Sequence, residues 1–264
     1  ERAGVSKATV SRVLNKRPEG VGDETRARIE AIVRDTGYAP SALARGLATG
    51  RSRSVGLIIP DITNPVYADL LAGIEEVLDP LGKVVFVADT NESLERQAHF
   101  LQRLLEMRVD GLIISTVSGT PASALSPYVR ENIPLVQTLR KIDDAPFDYS
   151  GINNRQGARQ AADYLLQIGH RDIAFIGSLI SPSVNSERYQ GFCEAVAERG
   201  LAPASMPTIT CRHAYGAAAQ AAKNILADKP ATTGIVCFND SIAFGATLGI
   251  YELELNGRKV GEDY

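Results

Sequence analysis

The stretch AGVSKATVSRVLN, residues 3–15, predicts a tight turn followed by a short helix with one polar face. Ser6 is a good helix N-cap, and a Gly-Val pair before it favours a turn. Val10, Val13 and Leu14 follow the spacing i, i+3, i+4 that places side chains on one face of a helix. The polar side chains of the stretch are Lys7, Thr9, Ser11, Arg12 and Asn15. Such a face suits contacts with phosphates and base edges.

A second helix is expected shortly after the first. Residues 19–22 have the composition of a loop, Asp23 is a candidate N-cap and Gly37 a candidate C-cap. The start of the chain, residues 1–3, has the composition of the end of an earlier helix. Together these elements match the helix-turn-helix plan of DNA-binding proteins. Short amphipathic helices are common, so the spacing alone also allows an unrelated helical pair.

The charge distribution supports a separate role for the N-terminal segment that contains these helices, which we call the head. Residues 1–53 contain 11 Lys and Arg against 6 Asp and Glu, whereas residues 54–264 contain 17 against 25. A basic head on an acidic body indicates a polyanionic partner for the head alone. The alternative is a basic segment that is merely solvated.

From residue 54 onward, apolar runs alternate with helical patterns. The predicted strands are 55–60, 84–88, 111–115, 133–137, 172–177, 208–211 and 234–238. The predicted helices are 65–78, 93–107, 154–168, 185–199, 214–228 and 241–255. This rhythm is typical of an α/β fold, with parallel sheets and helices on both faces.

The alternating body divides into two similar halves. Gly73 and Gly191 each follow a strand and a polar loop, and each lies nine residues before another glycine, Gly82 and Gly200. Two similar lobes predict a cleft between them, although chance likeness between βα units is an alternative. Ligands of such sheets bind beyond the carboxyl ends of the strands. The loops there carry Asp61, Asn64, Tyr67, Asp89, Arg188, Asn239 and Asp240, which suit a hydroxyl-rich ligand.

Several phrases of the sequence resemble the LacI/GalR family of bacterial transcription regulators, over nearly the whole chain. They are AGVSKATVSRVLN, ALARGL, VDGLII, GHRDIAFIG and VCFNDSIAFGA. The likeness is to sugar-responsive members, including the maltose-regulon type. It implies a helix-turn-helix headpiece joined to a two-lobed core like that of periplasmic binding proteins. The implied segments are a headpiece at 1–39, a hinge at 40–53, a first lobe at 54–151 and a second lobe at 152–264.

The resemblance assigns roles on DNA. The helix that Ser6 begins would lie in the major groove, with Lys7, Ala8 and Arg12 at base-reading positions. Thr9, Ser11 and Asn15 would contact phosphates, although helix-surface polarity explains Thr9 and Ser11 equally simply. In the hinge, Leu47 would wedge into a central base step of the minor groove, with Ala44 in the same short helix and Arg45 near phosphate. The alternative for the hinge is a plain flexible linker.

The resemblance also assigns effector-binding positions. Arg188, Asp240 and Tyr67 match positions of the family that contact the effector, and His213 lies near another. The alternative for Arg188 is a surface salt bridge, for Asp240 an N-cap of the following helix, and for His213 a surface loop. Two departures stand out. Leu139 replaces an acidic residue of many relatives and is followed by Arg140 and Lys141, which favour an acidic effector unless they are solvated. The chain also stops where relatives continue, so a clipped first helix and a truncated second lobe are expected.

Composition and motifs weigh against other classes of protein. There is no apolar run long enough for a membrane span and no phosphate-binding or nucleophile motif in context. The three cysteines, Cys193, Cys211 and Cys237, read as reduced thiols of a cytoplasmic protein. We therefore do not expect an enzyme, and we expect the protein to bind neither a cofactor nor a metal ion. A sugar-binding transport protein with the same clamshell is the other rival, but residues 1–53 argue against it. The expected partners are operator DNA, a sugar-like effector and a second copy of the chain, with a tetramer possible.

Overall fold

The computed structural model describes residues 3–14, 19–37, 52–142 and 145–255. Helices α1 (Lys7–Leu14) and α2 (Asp23–Thr36) form the head. Ser6 caps α1, because its Oγ accepts the amide of Thr9 at 3.1 Å. The N-cap of α2 is Gly22, so the prediction that Asp23 caps this helix is wrong by one residue. Asp23 lies in the first turn, where its charge still favours the positive end of the helix.

The head has a small apolar core of its own. Ala3, Val13 and Ile29 are buried together, and half-buried valines and an isoleucine pack around them. The predicted C-cap is confirmed at Gly37, which has a φ of 61° and whose amide reaches back to the last turn of α2. This left-handed conformation costs glycine little, which explains the end of the helix there.

The first lobe is a five-stranded parallel sheet in the order β2-β1-β3-β4-β5. Its strands are β1 (Ser54–Ile59), β2 (Val84–Asp89), β3 (Gly111–Ile114), β4 (Leu135–Thr138) and β5 (Asp148–Ser150). Its helices are α3 (Pro65–Leu78), α4 (Leu94–Glu106) and α5 (Ser126–Arg130), with 3-10 turns at Asp79–Leu81 and Ala122–Leu125.

The second lobe is a three-stranded parallel sheet in the order β7-β6-β8. Its strands are β6 (Ile173–Ser178), β7 (Thr208–Cys211) and β8 (Gly234–Cys237). Its helices are α6 (Asn154–Gln167), α7 (Pro182–Glu198), α8 (Tyr215–Asp228) and α9 (Asp240–Leu255), with a 3-10 turn at Pro203–Ser205. Because β5 pairs within the first sheet and α6 packs against α7, the chain passes between the sheets at residues 151–153.

Both sheets are covered on both faces, which explains the continuous apolar runs of their central strands. In β1, Leu57 and Ile59 join a cluster beneath α3, whereas Ile58 joins the cluster around Leu101 and Leu104 of α4. The same alternation splits β6 between a cluster that includes α6 and α7 and a cluster that includes α8 and α9. This double covering holds the carboxyl ends of the strands in fixed positions.

Glycines let the helices of the second lobe approach closely. A Cβ on Gly191 of α7 would lie 1.9 Å from the carbonyl oxygen of Arg155 in α6. A Cβ on Gly249 of α9 would lie 2.4 Å from the carbonyl oxygen of Ala219 in α8. The related Gly73 of the first lobe has no such neighbour within 4 Å. Gly82 and Gly200, in contrast, share a positive φ of 62° and 73° after their helices.

The predicted strands and long helices are confirmed, with ends that differ by up to three residues. The largest shift is at α7, which begins at Pro182 instead of residue 185. The elements β5 and α5 were not predicted, because both are short and carry no clear apolar period. No helix among the described residues is both long and apolar enough to cross a bilayer.

Candidate functional site

The exposed face of α1 is the first candidate site. Lys7, Ala8, Ser11 and Arg12 all lie on the surface of the head. Thr9 is half-buried, and its hydroxyl lies 2.9 Å from that of Ser6. The capping of α1 therefore already engages the Ser6 and Thr9 hydroxyls. Asn15 and the hinge residues Ala44, Arg45 and Leu47 lie outside the described residues.

The second candidate site is a cavity of about 740 Å³ between the two lobes. Its volume is within the range of small-molecule sites, about 300–1,000 Å³. Of the predicted effector residues, six line it: Asn64, Tyr67, Arg188, His213, Asn239 and Asp240. They come from loops and helix starts at the carboxyl ends of β1, β6, β7 and β8. The cavity thus brings together predicted residues that lie far apart in the sequence, such as Asn64 and Asp240.

Tyr67 forms part of the wall of the first lobe. Its ring is buried among Leu57 and Ile59, and its hydroxyl lies 3.0 Å from the Ser115 hydroxyl. Burial raises the pKa of Tyr67, and the nearby Arg140 opposes this rise. Tyr67 therefore stays neutral at physiological pH.

Arg188 is held in place from three sides. Its Nε donates to Asn154 Oδ1 at 2.9 Å, and one Nη donates to the Phe238 carbonyl. The guanidinium also lies over the Phe238 ring, 4.4 Å from its centroid. Burial lowers the pKa of Arg188, but an arginine remains charged at neutral pH. The surface salt-bridge interpretation fails, because Arg188 is a fixed, half-buried cation with donors left for a ligand.

His213 is a neutral group in the wall of the second lobe. Its Nε2 lies 2.7 Å from the Ser178 hydroxyl, and its ring packs against Phe238 at 5.2 Å. Burial, reinforced by Arg140 and Arg188, lowers the pKa of His213 to about 4. The alternative of a surface loop is wrong, because the ring is half-buried and its partners fix it.

Asn239 and Asp240 have different roles at the start of α9: Asn239 caps the helix, and Asp240 presents a carboxylate at the cavity. The Asn239 Oδ1 accepts the amide of Ile242 at 3.0 Å, so the capping residue is Asn239 and not Asp240. The Asn239 Nδ2 is buried and has no hydrogen-bond partner among the described residues. The Asp240 carboxylate is exposed at the cavity. A donor and an acceptor therefore stand side by side, which suits a vicinal pair of hydroxyls.

Asp61 and Asp89 line neither of the cavities found between the lobes. The Asp61 Oδ1 accepts the amide and the hydroxyl of Thr63, at 2.9 and 2.6 Å. The Asp89 Oδ1 accepts the amide of Asn91 at 3.1 Å. Both carboxylates are used to close their own turns. Asp61 is still near enough to raise the pKa of His213 electrostatically.

Arg140 is buried, so the interpretation that it is a solvated cation is wrong. It is only 8% exposed, and its two Nη atoms donate to the Glu92 carboxylate at 2.8 and 3.0 Å. Burial opposes its charge, but Glu92 outweighs burial and raises the pKa of Arg140. Lys141 is exposed, and its ammonium lies 6.0 Å from the Tyr149 ring centroid.

Some lining residues were not predicted from the sequence. Asn154, at the start of α6, is buried and donates to Glu187 while it accepts from Arg188. Ser181 precedes α7 and is also buried. Apolar walls come from Leu139, Ile152, Val184 and Phe238. A serine that precedes a helix and an asparagine at the start of a helix carry no local signal of ligand binding, so only the fold identifies them.

The cavity also extends along the second lobe beside β8. There it is lined by residues of α6 and β8, among them Ala161, Leu165 and Val236. β8 is an edge strand of the described sheet. The polar side chains that line the cavity lie at its other end, between the lobes.

Comparisons with known proteins give the family. Residues 1–41 match the family described as bacterial regulatory proteins, lacI family. Residues 52–263 match the family described as periplasmic binding proteins and sugar binding domain of LacI family. The chain belongs to the LacI family. Its LacI-family fold, a helix-turn-helix headpiece on a two-lobed core, is confirmed by these matches.

Relatives of the LacI family cover nearly the whole chain. The maltose regulon regulatory protein MalI of Escherichia coli is 31% identical over 98% of this chain and 75% of its own length. The ribose operon repressor of Halalkalibacterium halodurans is 32% identical over 100% of this chain and 76% of its own. The structure of the lac repressor dimer bound to operator and the anti-inducer ONPF has a TM-score of 0.84. It is 26% identical and covers 99% of this chain and 78% of that one.

Proposed function

We propose that this LacI-family regulator represses transcription from a two-fold symmetric operator and that a small molecule in the cleft controls its affinity for DNA. The observation that carries the proposal is the pairing of two sites in one chain. An exposed polar helix face stands on the head, and a cavity lined by polar groups lies between the lobes of the core. The relatives named as repressors and regulators support this role.

On DNA, α1 is proposed to lie in the major groove. Lys7, Ala8 and Arg12 would read bases, while Ser11 and Asn15 would contact phosphates. Thr9 and Ser6 would act mainly by fixing the start of the helix, since their hydroxyls already pair with each other. The hinge residues Ala44, Arg45 and Leu47 are proposed to enter the minor groove in the dimer. A leucine inserted at a base step kinks the duplex.

In the cleft, a hydroxylated ligand is proposed to lie between Asn64, Arg188, Asn239 and Asp240, against Tyr67 and Phe238. The buried Asn239 Nδ2 supports this, because an unpaired buried donor is costly unless a ligand or water accepts from it. His213 would accept or donate one hydrogen bond as a neutral ring. Binding to groups of both lobes would favour one lobe arrangement and so change the spacing of the hinge segments.

The role is proposed to be regulatory and not catalytic, and the protein to act in the cytoplasm. The relatives that match are transcription regulators. No group of three or more potential metal ligands lies together in the described part of the chain. If a ligand is found, incubation with the protein followed by recovery of unchanged ligand would agree with this proposal, and turnover would contradict it.

The deciding experiment is selection of duplexes that the protein binds from a pool of random sequences. The expected product is a near-palindrome with half-sites about one helical turn apart. Lys7→Ala and Arg12→Ala should lower affinity for the selected site by about tenfold or more each. Arg130→Ala removes the same charge from an exposed position in the first lobe and should leave affinity unchanged. Recovery of only salt-sensitive, sequence-independent binding would contradict the proposal.

A further inference from the structure

The strands of the first lobe begin at an edge that adjoins the hinge. The chain leads from the hinge into β1 through Ser52, whose amide and hydroxyl donate to the Asp110 carboxylate at 2.9 and 3.1 Å. The amide of Asp110 in turn donates to the Ser54 carbonyl at 2.7 Å. The turns that lead into β1 and β3 are therefore bonded side by side. We call the turns that lead into the first four strands the entry edge, formed by residues 52–53, 82–83, 108–110 and 132–134.

Each of these four turns contains a residue in the left-handed conformation. They are Arg53, Gly82, Arg108 and Asn132, with φ of 56°, 62°, 52° and 54°. Glycine and asparagine adopt this conformation readily, whereas a residue with a long side chain does so at a cost in free energy. Gly82 and Asn132 are thus residues that the backbone favours, and the two arginines are not. A residue kept against the preference of its backbone indicates a role for its side chain.

Both arginines are exposed, and neither guanidinium forms an ion pair or a hydrogen bond within the described part of the chain. The carboxylates two residues before and two residues after Arg108 are already engaged. Glu106 accepts from Arg103 at 3.0 Å, and Asp110 accepts from Lys83 at 2.8 Å. The entry edge therefore presents two cations whose charge the neighbouring carboxylates do not neutralise.

The hinge limits how far the entry edge can lie from DNA. Leu47, which is proposed to enter the minor groove, precedes Ser52 by five residues. A fully extended chain spans at most about 3.6 Å for each residue, so these two residues lie within roughly 18 Å of each other. Because Ser52 is bonded to Asp110, the entry edge is held near the duplex in any complex in which Leu47 contacts a base step.

The charge of the core makes cations at this edge useful. Residues 54–264 contain 17 Lys and Arg against 25 Asp and Glu, so the core as a whole is negative and DNA repels it. Cations at the edge nearest the duplex offset this repulsion, because phosphates attract them at short range.

We propose that Arg53 and Arg108 form a second contact with DNA, made by the core and not by the head, in which their guanidiniums bind backbone phosphates beside the centre of the operator. The inference rests on the proposed function and adds a contact surface to it. A guanidinium donates two parallel hydrogen bonds to a phosphate. Contacts with phosphates raise affinity but read no sequence. The core thus strengthens binding without changing which operator is chosen.

The first test replaces each arginine by asparagine, which removes the charge but suits the left-handed backbone. Arg53→Asn and Arg108→Asn should each lower affinity for the selected operator about tenfold or more at about 0.15 M salt. The slope of log affinity against log salt concentration should become shallower by about two for each variant. A dimer carries two copies of each arginine, and each phosphate contact contributes about one to the slope. The preferred operator sequence should not change, and the melting temperature should stay the same or rise.

The matched control is Arg212→Asn, which removes the same charge from an exposed position after β7. It should bind the operator as the unaltered protein does. Unchanged affinity and slope in both entry-edge variants would overturn the inference and leave the proposed function intact. A lower melting temperature, or dissociation of the dimer in sedimentation, would assign the arginines to the fold or to self-association and would also overturn it. Absence of specific operator binding by the unaltered protein would contradict the proposed function and this inference together.

A second test identifies the phosphates. Each phosphate near the operator centre is replaced in turn by a neutral methylphosphonate, and affinity is measured for the unaltered protein and for Arg53→Asn and Arg108→Asn. At the contacted phosphates, neutralisation should weaken binding of the unaltered protein about tenfold and have little further effect on the variant that has lost the contact. If every phosphate has the same effect on all three proteins, the arginines do not contact the backbone and the inference is overturned.

Discussion

At the scale of single residues, side chains that line the cleft also hold elements of the fold together, and we propose that they contact the ligand as well. Arg188 joins α6 and the end of β8 through its bonds to Asn154 and the Phe238 carbonyl. Asn239 caps α9 with one end of its amide and leaves the other end unpaired. A substitution at such a residue changes stability and ligand binding together, so its effects must be measured separately.

Arg188→Lys tests this double role. Lysine keeps the charge but not the planar fork, so the bonds to Asn154 and Phe238 cannot both persist. The free energy of unfolding should fall by about 1–3 kcal/mol, and the response of operator binding to a cleft ligand should be lost. Denaturant unfolding measures the first and fluorescence anisotropy of labelled operator the second. Arg159→Lys, on the exposed side of α6, is the control and should change neither. A normal ligand response in Arg188→Lys would place the ligand elsewhere.

His213 predicts a dependence of stability on pH. Its pKa falls from an ordinary 6.5 to about 4 in the folded chain, chiefly because it is buried. Between these values the unfolded chain takes up a proton that the folded chain does not, so stability falls as the pH drops from 6.5 towards 4. Above pH 6.5 the effect is absent. His213→Asn should flatten this part of the profile, as followed by chemical denaturation at each pH; an unchanged slope would show that other groups cause it.

At the scale of helices and strands, close contacts and a half-buried ion pair between Lys83 and Asp110 fix the geometry. The α6–α7 pair depends on Gly191, and the start of the first sheet depends on Asp110. The Asp110 carboxylate accepts from the amide and hydroxyl of Ser52, at 2.9 and 3.1 Å, and from Lys83 at 2.8 Å. It therefore ties the segment that leads in from the hinge to strands β1 and β3.

Gly191→Ala should destabilise the second lobe. The added methyl group would meet the carbonyl oxygen of Arg155 at 1.9 Å, a backbone atom that can move only if the helices separate. Overpacking of this kind costs about 1–3 kcal/mol or more. Gly216→Ala, near the start of α8, meets nothing within 4 Å and is the matched control. It should be neutral or slightly stabilising. Thermal unfolding compares the two, and equal melting temperatures would contradict the close-packing argument.

Asp110→Asn should loosen the segment after the hinge. Burial opposes the charge of Asp110, but Lys83 and Ser52 outweigh it and lower its pKa. Its contribution to stability is therefore present at neutral pH and lost as the pH falls through the folded pKa. The variant should unfold more easily at pH 7 and lose this acid dependence. Lys83→Met, which removes the ion pair but not the Ser52 bonds, should show a smaller loss. Equal losses would mean that the ion pair with Lys83 accounts for the whole effect of Asp110→Asn.

The sequence predicted the elements better than the site. Local signals such as the Ser6 cap, Gly37 and the apolar runs of β1 and β6 depend on neighbours a few residues away. The Arg140–Glu92 pair joins residues 48 positions apart, so no local pattern reports it. Asp240 was weighed as a cap because it begins an apolar helix, and the structure moves that role one residue earlier. The unpaired Nδ2 of Asn239 likewise becomes evident only when the fold buries it at the cavity.

At the scale of the whole molecule, both lobes expose apolar side chains that a monomer would not need. In the first lobe Val77 and Leu81 are 65% and 63% exposed, and in the second lobe Phe244 and Leu255 are both 68% exposed. Large exposed apolar patches indicate protein contacts. The related lac repressor structure is a dimer on its operator, and a two-fold symmetric DNA site requires two heads.

Val77→Glu and Leu81→Glu in one chain should therefore weaken self-association. Charges placed within an apolar contact lose water without gaining a partner. Sedimentation equilibrium should show a shift from dimer towards monomer, and affinity for a palindromic operator should fall in parallel. Val129→Glu, at a 56% exposed valine of α5, is the control and should remain dimeric. A fully dimeric double variant would place the interface elsewhere.

The independent core of the head has a consequence for engineering. Ala3, Val13 and Ile29 are buried against partners within the head itself, and the half-buried apolar side chains packed around them also lie in the head. The head can then be treated as an exchangeable DNA-binding module and the two-lobed core as an exchangeable sensor module. A chimera that joins this head to the sensor of another relative would keep the promoter and change the signal. Natural recombination between genes of the family would give an existing headpiece a different sensor. The same promoter would then respond to a different sugar without a new DNA-binding domain.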